Sequence, residues 1–389
     1  MGPGAPTPGG RGRRRAAWAA GGLAYLALPL VVDDYWLSVL VVAGITAVAA
    51  VGLNLLTGYC GQVSLGHAFF VGAGAYVAAV VGSTAGLPLA LWLPAATAVG
   101  AALGAATGPF ALRFSGHLLA VVTLAVLFAG QHVFRNWTWL TGGGAGRSDL
   151  PIASLGPFDL SALVVAGHRL SFDQGYFWLV WAVVAVVVAA SANLVRSRMG
   201  RAMVAVREDD RVAAVLGIDV ARTKVTAFAL AGALAALAGA LHGSYRQYVG
   251  PEEWDLLASI EYLAVVLVGG LGTVGGPVAG ALFLGAVPHL VAGVSGALPF
   301  VARGAEPGVT VGQLDRLSFG VVIVAFVLAE PRGLVALGHR LRARLAARPR
   351  TRPRPGPPAW PPGCHDGGRA GDRQGRLRPS GPARAGGEA

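Results

Sequence analysis

The sequence predicts an all-α, polytopic membrane protein with about ten transmembrane helices and both termini in the cytoplasm. Three observations lead there. Of 389 residues, 54% are hydrophobic and only 13% charged, against roughly 25% charged in an ordinary soluble domain. Mean hydropathy is +0.60. The apolar residues also gather in runs that approach the ~20 needed to cross a bilayer. This composition excludes a cytosolic enzyme, a disulfide-stapled secreted domain and a coiled coil.

Apolar runs broken by Gly and Pro, charge or polar clusters place helices near 16–32, 36–56, 67–83, 88–112, 117–134, 176–195, 223–243, 257–271, 277–295 and 315–330. Helices are expected because lipid leaves the backbone only itself to bond with. A β-barrel would alternate polar and apolar residues in segments of about ten, whereas Trp181–Ala190 is continuously apolar. The Arg11–Arg15 run resembles a signal peptide, but no cleavage site follows and more spans do, so an uncleaved first helix is expected.

Orientation follows from the basic residues, which favour cytoplasmic loops. With the N-terminus inside, the inner segments are 1–15, 57–66, 113–116, 196–222, 272–276 and the tail, and they hold Arg113, Arg196, Arg198, Arg201, Arg207, Arg211 and Arg222. The outer segments hold Asp33, Asp34, Asp149, Asp173, Glu252, Glu253 and Asp255. The organisation expected is a basic segment 1–15, a membrane domain 16–335 and an Arg/Pro/Gly-rich tail 336–389. The last lacks the apolar surface to offset its ordering entropy and should be disordered. That tail carries most of the net charge of +12, so the charge suits anionic lipid and gives no reason to expect nucleic acid. Two long loops interrupt the domain. The outer one, 135–175, contains Trp137 and Trp139. The inner one, 196–222, carries the pattern Val206, Val212, Ala213, Leu216, Ile218, which predicts a short amphipathic helix over 207–218. Val212 and Leu216, one turn apart, would anchor it, and Gly217 would end it near Ile218.

Two Gly-rich segments hold the candidate site residues. Between Gly52 and Tyr76, the polar Asn54, Thr57, Gln62, Ser64 and His67 lie among apolar residues and Gly58, Gly61, Gly66, Gly72 and Gly74. Irregular backbone at membrane depth is tolerated where it is buried in protein or lines a water-filled cavity. A tight turn with packing glycines and an element of a solute path are both open readings. The second segment, Glu261–Gly280, contains Gly269, Gly270 and Gly272 without the Lys-Ser/Thr of a phosphate loop. Glu261 is its acid, and an intramembrane acid is a functional candidate by default. Neither a catalytic set nor metal-ligand spacing is present: Cys60 and Cys364 stand alone, and the eight His are scattered.

The stretch Gly-Leu-Asn-Leu-Leu-Thr-Gly-Tyr-Cys-Gly-Gln-Val-Ser-Leu-Gly-His-Ala, residues 52–68, resembles that of permease subunits of branched-chain amino-acid ABC importers, the LivM type. Three more stretches match in order: Arg207–Ile218 with Lys224, Ala227 and Phe228; Gly269–Gly280; and Glu330-Pro-Arg-Gly-Leu334. Cys60 departs from the pattern, which more often has a small polar residue there. The resemblance implies a non-enzymatic permease of an ATP-driven importer for branched-chain or related amino acids, without a cofactor. It works with a second, non-identical permease subunit, two cytoplasmic ABC ATPases and an external solute-binding protein. The resemblance also implies that the inner loop couples to the ATPase through Ala213, Ala214 and Gly217. Val212 and Leu216 would support that element, and Arg207, Glu208, Asp209 and Arg211 would pair across the interface. Asn54, Thr57, Gln62, Ser64, His67 and Glu261 are the expected translocation path. The competing readings are an ion-coupled secondary transporter using Glu261 and an ABC permease for urea, short amides or sugars.

Overall fold

A computed structural model describes residues 25–114, 116–155, 158–159, 164–165 and 168–295, with 317, 320–322, 324–326, 328 and 333–337 beyond them. The basic segment 1–15, most of the tail and Glu330 lie outside the described residues. The membrane region is all-helical: α1 (Asp34–Leu53), α2 (His67–Ala78), α3 (Leu89–Thr107), α4 (His117–Asn136), α5 (Phe172–Arg196), α6 (Arg198–Glu208), α7 (Asp210–Val215), α8 (Val220–Arg246), α9 (Leu256–Gly269) and α10 (Gly276–Ser295). Two antiparallel ladders of two-residue strands, β1 (Ser154–Leu155) with β2 (Phe158–Asp159) and β3 (Val164–Val165) with β4 (His168–Arg169), fall in the 135–175 loop.

Among the described residues, six helical segments, built on α1 to α5 and α8, are long and apolar enough to cross a membrane, and α9 and α10 form a shorter apolar pair. At 1.5 Å per residue, the 14 residues of α9 reach about 21 Å against a hydrocarbon core of about 30 Å.

The ends of the helices reflect local chemistry. The expected start of α5 at 176 moves back to Phe172, because Ser171 and Gln174 form a capping box that satisfies free N–H groups at the helix start. The largest departure is in the 196–222 loop. One amphipathic helix over 207–218 is expected, but the chain breaks at Asp209, which is extended (φ −161°, ψ 118°). Its carboxylate accepts from the N–H groups of Arg211 (2.7 Å) and Val212 (3.1 Å). A short acidic side chain in this position serves as an N-cap better than as a helix interior residue.

The bundle is organised around α8, which packs on α3, α2 and α1, while α1 also contacts α5, α9 and α10. Lipid supplies no hydrophobic drive to bring helices together, so close packing must. α8 meets its neighbours through Ala231, Gly232, Ala235, Ala236 and Gly239. A Cβ on Gly232 would collide with the Gly100 carbonyl, and one on Gly239 with that of Val71. α3, α4 and α5 instead expose Leu91, Val99, Val121, Phe128 and Val186, an apolar outer surface suited to acyl chains.

Successive helices run in opposite directions. One end gathers 57–66, 109–116, 196–222 and 270–276. The other gathers 32–35, 84–89, 135–153 and 247–255. The first carries most of the arginines and the second most of the carboxylates, and they are called here the basic and acidic ends.

Candidate functional site

At the basic end α1 widens into a π-helical turn, Asn54–Tyr59, closed by Cys60 N–H to Leu55 O and Gln62 N–H to Leu56 O. Such turns loosen a helix where it must re-aim side chains. Here Asn54 faces the turn after α9: its Nδ2 donates to Thr273 O (2.9 Å), and the Gly272 N–H donates to its Oδ1 (2.9 Å). The two Gly-rich segments, more than 200 residues apart, are therefore one structure. Gly58 comes so close to Gly272 that a Cβ on it would lie 2.6 Å from the Gly272 nitrogen. Gly333, of the last matching stretch, packs on Gly270.

The other polar residues of the first segment bond locally. Thr57 Oγ1 donates to Gln62 O (3.0 Å), and Gln62 Nε2 donates to Cys60 O (3.2 Å), which leaves Gln62 Oε1 buried without a partner. Ser64 Oγ accepts weakly from Gly66 N–H (3.4 Å). His67 Nε2 lies 2.9 Å from Ala49 O. A carbonyl can only accept, so the ring proton sits on Nε2. The His67 ring meets Tyr262 edge-on at 5.7 Å. Burial pushes the Cys60 thiol up to about 12, which keeps it protonated and inert.

α6 and α7 lie against this structure. Arg207 donates from Nη1 to Gly58 O, and its Cγ would be 3.0 Å from a Cβ on Gly61 (φ +72°). Behind α7, Lys224, 3% exposed, pairs its Nζ with Asp210 Oδ2 at 2.5 Å and donates to Ala111 O at 3.2 Å. α7 ends as expected at Gly217. With φ +79°, Gly217 donates to Ala214 O (3.0 Å), and Ile218 donates to Ala213 O (3.0 Å), the two bonds of a Schellman cap.

The expected anchors of α7 are corrected. Val212 and Leu216 are 56% and 72% exposed, and Val215 is 88% exposed, while Ala213 is 1% exposed. The helix is held by Ala213, the partly buried Ile218 and the Asp210–Lys224 pair, so its bulky apolar side chains face outward. Two of the expected cross-interface charges are also engaged within the chain: Arg207 on Gly58 and Asp209 as the cap. Glu208 and Arg211 stay exposed, as do Ala214 and Gly217.

Two cavities flank this region. A cleft of about 340 Å³ at the basic end is lined by Cys60, Gln62 and residues 206–211. A larger cavity of about 810 Å³ opens among α1, α8, α9 and α10 and carries Arg246, Glu253, Glu261, His242 and His289. Burial raises the Glu253 carboxyl above its ordinary value, opposed by Arg246. Of the expected path residues, Glu261 lines this cavity and Gln62 the cleft, while Asn54, Thr57, Ser64 and His67 line neither. Sequence reasoning missed the roles of Arg207 and of the Lys224–Asp210 pair. Lys224 had a signal, being the chain's one lysine in a helix that leads into the membrane.

Residues 35–327 match the family described as the permease component of the branched-chain amino acid transport system. The high-affinity branched-chain amino acid transport system permease protein LivM of Salmonella typhimurium is 31% identical over 261 residues, covering 64% of this chain and 61% of that protein. LivH of the same-named system in Escherichia coli is 28% identical over 255 residues, 61% of this chain and 79% of that one. The ribose import permease protein RbsC of E. coli is 28% identical over 249 residues, 62% and 72% of the two chains. The chain thus spans about 61% of the length of the LivM protein it matches. No solved structure matches it significantly. Its apolar helices and these relatives make it a multi-pass inner-membrane protein. By the extent of the family match, this chain belongs to the permease components of branched-chain amino acid transport systems.

Proposed function

We propose that the chain is a permease subunit of an ATP-driven ABC importer, forming part of the path for branched-chain or related amino acids delivered by an external binding protein. The observation that carries this reading is α7. It is a short capped helix at the basic end, braced from behind by Lys224, with Val212, Val215 and Leu216 turned outward. Exposed apolar residues on a rigid support mark a docking surface. At a cytoplasmic end that surface suits an ATPase, with Glu208 and Arg211 on its rim setting orientation. Counting the helical stretch at 25–31 and the helical residues 317, 320–322, 324–326 and 328, the chain makes about ten crossings and keeps both termini at the basic end, in the cytoplasm.

The 810 Å³ cavity faces the acidic, external end and combines one guanidinium with two carboxylates, which favours a zwitterion over a neutral sugar. Glu261 and Gln62 touch the path, and Asn54, Thr57, Ser64 and His67 shape its walls. LivM and LivH bear the name of one system, so the partner permease is a different chain. Two ATPases and a binding protein complete the assembly, and bilayer lipid surrounds it. The likeness to the ribose permease supports the sugar alternative, against which the charges of the cavity count.

Reconstitution with these partners tests the proposal. Labelled leucine should accumulate in vesicles only while the ATPase turns over, and ribose should not. Uptake that survives an inactivated ATPase but collapses with the proton gradient and on Glu261→Gln would establish the ion-coupled alternative instead.

A further inference from the structure

The ABC-permease reading gives the chain a helix to be pushed and a path to be opened, and leaves open what connects them. The connection is visible in side chains that serve neither end. Arg207, on the last turn of α6, is exposed but turns its guanidinium back onto the chain. It donates to the carbonyl of Gly58, and a Cβ on Gly272 would lie 3.2 Å from its Nη1. Asn54, one π-turn before Gly58 and 1% exposed, uses both amide atoms on Gly272 and Thr273. The route from the inner helix pair to both Gly-rich turns thus consists of two side chains and two glycines in direct contact, with Arg207 the one long side chain in it.

We infer that Arg207 and Asn54 are positioning residues that transmit movement of the α6–α7 pair to the two Gly-rich turns at Gly58 and Gly272. The inference rests on the ABC-permease reading. Coupling between distant sites needs a contiguous network acting on elements with more than one arrangement. The network is the chain Arg207–Gly58–Gly272–Asn54. The elements are the turns, where Gly61, Gly270 and Gly272 hold positive φ that only glycine adopts freely. Asp209, extended between α6 and α7, lets α7 tilt on its ATPase while α6 carries Arg207 with it. Asn54 and Arg207 then act on opposite sides of one glycine pair, so the turns move together.

The test is the ratio of ATP hydrolysed to solute imported in the reconstituted assembly, which cancels differences in the amount of folded protein. Arg207→Lys keeps the charge but loses the reach and planar geometry of the guanidinium, and Asn54→Ala removes both bonds. Each should raise the ratio about tenfold, and the double variant should raise it no further than the larger single change, because both break one connection. Asn54→Asp, which keeps the acceptor for Gly272 N–H, should recover part of the coupling. Hydrolysis and import falling in proportion would overturn the inference, as would an unchanged ratio or full additivity in the double variant. Loss of assembly in every variant would overturn it too, by making the cluster a requirement of the fold. Import by the unsubstituted chain that ignores ATPase activity would instead sink the reading under Proposed function, and is read without any substitution.

Discussion

The two ends of the bundle are held together by different materials. At the acidic end, long side chains tie the elements. Arg147 reaches Asp149, Thr84 and Leu140 O while its backbone pairs with Val249, Gln174 reaches Pro29 O, and Ser171 reaches Asp34. At the basic end, the two Gly-rich turns meet backbone to backbone at Gly58 and Gly272, bridged by Asn54 and Arg207 and braced by the Lys224–Asp210 pair. A long side chain changes rotamer and leaves the backbone behind, so the acidic end can adapt around a cavity of about 810 Å³. Backbone packed on backbone has no such freedom, and a displacement at one turn is passed to the next. Under the proposed importer reading, tolerance lies where solute would enter and stiffness where force would arrive.

The largest effect is expected where the stiff end rests on a buried charge. Lys224 is almost wholly enclosed, whereas Asp210 keeps 39% of its side chain in contact with solvent. Removing the aspartate leaves an enclosed ammonium with only Ala111 O. Breaking a fully buried pair costs 3–5 kcal/mol, and partial solvation of Asp210 brings Asp210→Ala to about 2–3 kcal/mol. Lys224→Met leaves a carboxylate that water can reach, so it should cost less. The order is the sharp result: unfolding midpoints in detergent should fall further for Asp210→Ala than for Lys224→Met. The reverse order would mean that packing of the lysine stem, and not the pairing of its charge, holds α7 in place.

How much of this was legible in the sequence depends on the range of the interaction. Helix positions were, because apolar runs and their Gly, Pro and charged interruptions are local. Gly217 was legible as a helix end, since a positive-φ cap needs glycine at that point in the chain. The start of α5 was written in Ser171 and Gln174 but passed over in favour of the apolar run. The break at Asp209 was hidden because an acid within a charged triplet serves equally well as a solvated helix residue. The outward turn of Val212 and Leu216 ran against the rule that apolar faces point to the core. Here the small Ala213 is buried instead, and in the proposed assembly the outward face meets the ATPase. The union of the two Gly-rich segments had no local signal, because Asn54 and Gly272 reveal their pairing only once α9 has returned the chain to α1.

A second prediction tests the adaptable end. Tyr176 Oη lies 2.6 Å from Ser244 Oγ and accepts from Ala153 N–H (3.2 Å), and Ser244 in turn donates to Pro151 O (2.6 Å). Because Ser244 uses its proton on Pro151, Tyr176 must donate to Ser244. Tyr176→Phe strands the buried Ala153 N–H, a loss of about 1–2 kcal/mol. If the acidic end adapts as described, the change should loosen residues 150–153 to added protease while the ratio of ATP hydrolysed to solute imported stays at its normal value. A raised ratio would erase the distinction between the ends.

The smallest effect concerns the cap of α7 and is a matter of pH. The N–H groups of Val212 and Arg211 hold the Asp209 carboxyl below its ordinary value. A carboxyl lowered by folding contributes stability that is complete above its unfolded pKa and disappears as pH falls through the folded one. α7 should therefore keep constant protection at neutral pH and fray only when acid passes below the usual carboxylate range. Hydrogen exchange at the Val212 amide, corrected for intrinsic rates, measures this directly. Asp209→Asn caps a helix about as well but does not titrate, so it should flatten the acid-induced fraying. If fraying persists unchanged in that variant, the Asp209 cap does not set the acid response of α7. The brace of α7, and not its cap, would then set how firmly the docking helix is held.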